Sequence, residues 1–418
     1  MRTLGKKTNL KIWWAQFPLK LRLITKCRFL ASLGAGGVLY LTPLVFNIEG
    51  FSASEISRGI SAAAIAGTIT RLITGTLLDK GISLKLPLKI AGIIAIIADT
   101  LLFKANTYTQ FIIGELFLGA AAGIYWPSIE LAIPICCQKY PSNKGFALAR
   151  SSDALGVSIG ALIGSISDSL GNIRNIYSVE IICMFIFIYL ITNNNLILIQ
   201  HKIIENNIIN EENSSKIFWG LKADNKWLRN LLPILALSLL ATGILTLMQS
   251  ALPLDMVKGG IKRPPFKEDI SSLLTAIQLG LLFAIQWPIG NWLTKKDIRF
   301  GLRLSMLSFS CGTIFLCLSS FYKNGFILII LALLPISVGL ASFLPTATEA
   351  VIKVTPEKKK GLAMAIYSQC FGISAFIAPV ISGYLIDSQK NAMLLWLLAS
   401  LCCILITPLT KKIKRIDI

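Results

Sequence analysis

Stretches of about 20 apolar residues recur along this 418-residue chain, and no other feature restricts its fold as strongly. A helix of that length, rising about 1.5 Å per residue, matches the ~30 Å hydrocarbon core of a bilayer. Backbone amides in hydrocarbon have no water to bond, so a spanning segment must be a helix or part of a closed barrel. Continuous apolar runs, without two-residue alternation, select helices. Twelve runs qualify: 29–46, 59–78, 88–103, 111–133, 147–166, 176–191, 231–251, 271–292, 302–321, 326–351, 362–386 and 393–410. The expected fold class is an all-α membrane protein with twelve transmembrane helices. Only 15% of the residues are charged, against about 25% in a soluble domain, so this chain lacks the polar surface to cover a water-facing core.

The formal net charge of +20 does not indicate nucleic acid, because the basic residues sit in short segments between apolar runs and no base-reading module is present. Their distribution sets orientation instead. With twelve spans both termini share one side, and that side carries thirty Lys and Arg against nine on the other, while Arg71 and Arg150 fall inside spans. Both termini are therefore expected in the cytoplasm, in the plasma (inner) membrane of a bacterium. Residues 1–28, Arg28 included, read as a basic leader whose Trp13, Trp14 and Phe17 lie on an anionic inner leaflet. The leader is too long for a signal peptide, and no cleavage site follows it. Residues 193–230 read as a cytoplasmic linker, 253–269 as an irregular loop and 411–418 as a basic tail. The nine cysteines lie in or near apolar runs without metal-ligand spacing, so neither disulfides nor zinc are expected.

The two halves repeat one another. Gly145-Phe146-Ala147-Leu148-Ala149 follows Lys144, and Gly361-Leu362-Ala363-Met364-Ala365 follows Lys360. Ser152 and Gly156 recur as Ser368 and Gly372, Gly75 as Gly290, and Pro127 as Pro345, all at nearly constant spacing. A duplicated six-helix unit implies two pseudo-symmetric bundles, 29–192 and 231–410. In such an arrangement the binding site lies between the halves near the membrane midplane.

With these features the chain resembles the major facilitator superfamily along nearly its whole length. The most specific element is Gly75-Thr76-Leu77-Leu78-Asp79-Lys80, where the second span enters the inner loop. The fourth-span pattern reads Gly114-Glu115 followed by Gly119, with Glu where the family has Arg. The fifth span has Gly156, Gly160 and Gly164 without the Gly-Pro pair of drug/proton antiporters, and the second-half loop has Thr294 where Asp is usual. The resemblance implies that Gly75, Asp79 and Lys80 act in gating, and that the first, fourth, seventh and tenth spans line the cavity. It thereby puts Glu115, with Glu130 and Glu349, on the solute path, where Glu115 is either a coupling carboxyl or a snorkelling, water-exposed carboxylate near the outer half.

Ionisable groups inside spans are costly and are functional candidates by default. Glu115 and Glu130 fall about 60° apart on one stripe of the fourth span, with Gly119 and Trp126. Arg71, Glu130, Arg150 and Asp153 make either an inner-side network that satisfies buried charge or the coupling machinery itself. Tyr125 and Trp126, and the single helical face of Thr242, Thr246 and Gln249, are cavity candidates or inter-helix hydrogen-bonding groups. There is no Walker loop, zinc helix or nucleophile elbow, so neither an enzyme nor a cofactor is expected. The expected function is secondary active transport of a small solute by alternating access, proton-coupled and as a monomer. An energy-independent facilitator and a non-transporting receptor are the alternatives.

Overall fold

The computed structural model describes residues 14–138, 140, 142–193, 226–293, 296–356 and 360–413. Twelve helices among them are long and apolar enough to cross a membrane. The first half has Leu19–Ile48, Ala53–Asp79, Lys85–Lys104, Tyr108–Cys137, Ser142–Ser169 and Asn175–Asn193. The second has Lys226–Ser250, Glu268–Leu293, Ile298–Ser319, Gly325–Val354, Lys360–Gln389 and Met393–Ile406. They are the first to twelfth spans below. The described residues contain no strand, and the chain is a multi-pass integral membrane protein.

Several boundaries follow from capping. Ser52 and Glu55 close a reciprocal box at the start of the second span: the Ser52 hydroxyl accepts the Glu55 N–H at 3.2 Å, and the Glu55 carboxylate accepts the Ser52 N–H at 2.9 Å. Thr107 and Gln110 do the same for the fourth span. Three expectations need correction. The first helix starts at Leu19, not at 29, so Lys20, Arg22, Lys26 and Arg28 are helical and Arg28 is buried. The seventh starts at Lys226. The presumed irregular loop at 253–269 contains a short helix, Leu252–Lys258. The cytoplasmic linker falls largely, and the leader and tail partly, outside the described residues, as does Trp13.

Packing repeats as the sequence does. In the first half the first span packs on the fifth, the second on the fourth, and the third on the fourth and sixth. In the second half the seventh packs on the eleventh, the eighth on the tenth, and the ninth on the tenth and twelfth. Between halves, the second span packs on the eleventh and the fifth on the eighth, a pair related by the same pseudo-symmetry. Gly36 and Gly160 bring the first and fifth spans together backbone to backbone, where an added Cβ would strike the opposing main chain.

The halves are bonded at the end away from the described chain ends, here the far side. Asp387, near the end of the eleventh span, accepts the N–H groups of Ala53 and Ser54 at 3.1 and 2.7 Å. Those amides open the second span, so the carboxylate caps a helix of the other half and sits at its positive pole. Lys258 donates to the same carboxylate at 2.9 Å. Ser272 contacts Ser165 at 3.4 Å, and Ser61 donates to the Phe376 carbonyl at 2.9 Å. Lys258 is held in place by a buried cluster behind it. Arg263 pairs with Asp255 at 2.8 Å and donates to Ser319, and the Trp396 indole N–H donates to Asp255 at 3.0 Å. Gly259, at φ +82°, ends the short helix in a conformation that a side chain would strain.

Asp387→Asn should weaken this closure by about 1 kcal/mol, a roughly fivefold shift in population. In a background without native cysteines, Ser165→Cys with Ser272→Cys should cross-link readily. Adding Asp387→Asn should lower the cross-linking yield; an unchanged yield would show that the carboxylate does not hold the halves together.

Candidate functional site

The close approach of the first and fifth spans sets Arg28, Ser32 and Gly36, one helical stripe, against Asp153, Gly156 and Gly160. Arg28 lies nine residues into its helix, about 14 Å from its end. Its Nε donates to both Asp153 carboxylate oxygens at 3.0 and 3.1 Å, and Nη2 donates to Asp153 as well. Nη1 donates to Glu130 Oε1 at 3.0 Å. The Ser32 hydroxyl bonds Asp153 at 3.1 Å. The guanidinium carbon stands 5.5 Å from the Trp126 ring centroid, within cation–π range. Tyr125, beside Trp126, has a buried hydroxyl with no hydrogen-bond partner among the described residues.

The burial of this cluster is graded. The Arg28 side chain is 1% exposed, Asp153 17% and Glu130 33%. One arginine therefore holds two carboxylates, one of which reaches solvent. The expected inner-side network is thus present in part: Glu130 and Asp153 belong to it, but their cation is Arg28. Arg71 and Arg150 form no ion pair with a described residue. Arg150 is exposed, and Arg71 is partly buried with its Nε unpartnered.

Other candidates sit away from this cluster. Glu115, expected on the solute path, is buried inside the first-half bundle, where it and Glu180 of the sixth span lie within electrostatic reach of Asp99 of the third. The Asp99 carboxylate oxygens accept no hydrogen bond from a described residue. Thr242 and Thr246 are packing groups: Thr242 bonds the Ser374 hydroxyl at 2.8 Å, and Thr246 donates to the Thr242 carbonyl at 3.0 Å. Gln249 reaches the Tyr40 hydroxyl of the other half at 3.4 Å. Glu349 is 46% exposed and pairs with Lys353, one turn on, at 2.8 Å. In the gating motif, Gly75 has open space around it and Lys80 is the exposed C-cap of the second span. The Asp79 side chain lies outside the described residues.

Three participants escaped sequence reasoning: Arg28, Lys258 and Asp387. Arg28 was discoverable from its i, i+4, i+8 register with Ser32 and Gly36. Asp387 pairs with residues more than three hundred positions away and left no local signal.

The Major Facilitator Superfamily profile matches residues 25–341 and 266–415. No curated protein sequence matches the chain. Among solved structures, the nucleoside transporter NupG superposes with a TM-score of 0.73 at 14% identity, over 95% of this chain and 100% of that one. A peptide transporter POT in complex with sulfate gives 0.77 at 12% identity, covering 95% of each chain. A D-xylose-proton symporter gives 0.74 at 14%, over 93% of this chain and 96% of that one. At such identities the likeness is one of fold.

Removing Arg28 leaves two carboxylates facing one another, so Arg28→Met should destabilise the protein by about 3 kcal/mol. Asp153→Asn should cost more than Glu130→Gln, because Asp153 accepts more bonds and is less exposed. Thermal unfolding of the detergent-purified variants measures both; equal melting temperatures for parent and Arg28→Met would remove the network from any structural role.

Proposed function

This chain belongs to the major facilitator superfamily, and we propose that it transports a small solute by alternating access, coupled to protons and with both termini cytoplasmic. The observation that carries this reading is a charged cluster, Arg28 with Glu130 and Asp153, inside a molecule whose halves are hydrogen-bonded, among the described residues, at the far side. The hydrogen bonds between halves described above close the far side, while Arg150 and Glu349 are exposed toward the terminus side. With cytoplasmic termini this is the inward-open arrangement.

Glu130 is the coupling group in this scheme. It is the most exposed member of the cluster. A proton on Glu130 cancels its charge and removes its ion pair, leaving Arg28 to Asp153 alone. The balance of charge on the wall then differs between loaded and empty states, which is the differential interaction that coupling requires. A nucleoside transporter, a peptide transporter and a D-xylose-proton symporter among the structural neighbours support small-solute transport of this kind. A second reading has its own support. Asp99, Glu115 and Glu180 are three buried carboxyl groups, the last two within electrostatic reach of the first, with no cation among their described neighbours.

Proteoliposomes with an imposed pH gradient discriminate between the two. Glu130→Gln should abolish accumulation against a gradient and spare downhill exchange, because Gln keeps shape and hydrogen bonding but cannot titrate. Glu115→Gln should accumulate solute as the parent does. The opposite pattern moves coupling to the buried carboxyl set, and flux in the parent that ignores the pH gradient makes the protein a facilitator. For orientation, Lys262→Cys, exposed beyond the far-side helix, should react with an impermeant thiol reagent applied outside cells. Protection there would invert the proposed topology.

A further inference from the structure

We propose that Arg71 and Arg150 bind an oxyanion, a carboxylate or phosphate group, on the transported solute; this rests on the transport reading above and names its substrate class. The geometry of two helices carries it. On the second span, Ser57, Ser61 and Thr68 meet the eleventh span, while Gly67 and Thr70 meet Gly119 and Gly123 of the fourth. Ile65, Ile69, Leu72 and Ile73 are exposed apolar residues on the remaining, lipid-facing sector. At 100° per residue, Arg71 projects about 60° from Thr68 toward Gly67, away from that sector. It points between the fourth and eleventh spans, into the cleft.

The fifth span repeats the arrangement. Ser158 and Ser165 face Gly280 and Ser272 of the eighth span, and Gly156, Val157 and Gly160 lie on the first. Leu155, Leu162 and Ile166 are exposed on the lipid side. Arg150 projects about 80° from Ser158 toward Val157, so it too enters the cleft, between the first and eighth spans. Each arginine lies eight residues from the terminus-side end of its helix, at a depth of about 12 Å. Tyr367 of the eleventh span is within electrostatic reach of Arg150, so a group bound there meets both halves.

Charge balance points to the ligand. Arg28 is neutralised by Glu130 and Asp153, and Glu349 is engaged by Lys353. What remains on the cleft walls is two guanidinium groups without carboxylate partners among the described residues. Arginine is expensive at this depth, and neither group pairs with a described carboxylate. A planar guanidinium presents paired N–H donors that match an oxyanion, and a solute bearing one supplies the missing charge.

The test uses the full-length protein in detergent and in proteoliposomes. Probes are phosphate monoesters, dicarboxylates and amino acids, each paired with a neutral analogue, such as glucose 6-phosphate with glucose and succinate with succinamide. At least one oxyanionic probe should bind saturably by calorimetry and drive counterflow, and its neutral analogue should do neither. Arg71→Gln and Arg150→Gln should each weaken that binding about tenfold or more, with the Lys variants intermediate. Ligand-free melting temperatures of these variants close to the parent's exclude misfolding as the cause. Binding lost in the Gln variants without any counterflow by the parent would uphold the anion site and overturn transport. Counterflow of a neutral solute that both Gln variants retain would uphold transport and overturn the anion site. No oxyanion binding, or binding that both Gln variants keep at parent strength, also overturns it.

Discussion

A backbone in hydrocarbon must satisfy its own hydrogen bonds, and every other property of this protein is arranged around that demand. Once all twelve crossings are helices, the main chain has no spare groups at mid-membrane, and chemistry there falls to side chains. Serines and threonines illustrate the pressure. Ser238, Thr242, Thr246 and Thr313 each return a hydroxyl to the carbonyl one turn back instead of leaving it unbonded. A polar residue inside a span is thus no evidence of a site until its bonds are traced.

The same tracing separates the arginines. Arg28 is the most buried of the three cleft-region arginines and the most completely paired, so it joins helices as well as holding charge. Arg71, partly buried, and Arg150, exposed, form no ion pair with a described residue. Burial and pairing together divide one chemical type into a paired, buried member and two that are unpaired among the described residues.

Much of the fold was legible because its causes are local. Length and hydropathy marked the twelve spans, and the recurrence of Gly145-Phe146-Ala147 as Gly361-Leu362-Ala363 exposed the duplication. The site was less legible because its causes are not local. A basic residue beside an apolar run scores as a rim residue whether its helix begins at 19 or at 29, and Arg28 was misplaced for that reason. Helical periodicity put Glu115 and Glu130 on one stripe, yet about 60° of rotation and four turns leave Glu115 buried and Glu130 a third exposed. Thr242, Thr246 and Gln249 did share a face, but periodicity cannot say whether a face meets solute, another helix or the opposite half.

The buried cluster of Arg263, Asp255 and Trp396 bears on how reversible the far-side contact is. Lys258 and Asp387 both belong to the second half, and that cluster ties the lysine's short helix to its own bundle. When the halves part, Asp387 surrenders two amides to water but keeps its ammonium partner. The first half loses only a helix cap, and water can solvate the freed N–H groups. Neither surface is left with a bare charge, so the contact can be broken and remade without a large electrostatic barrier. A bridge with its cation on one half and its anion on the other would not have that property.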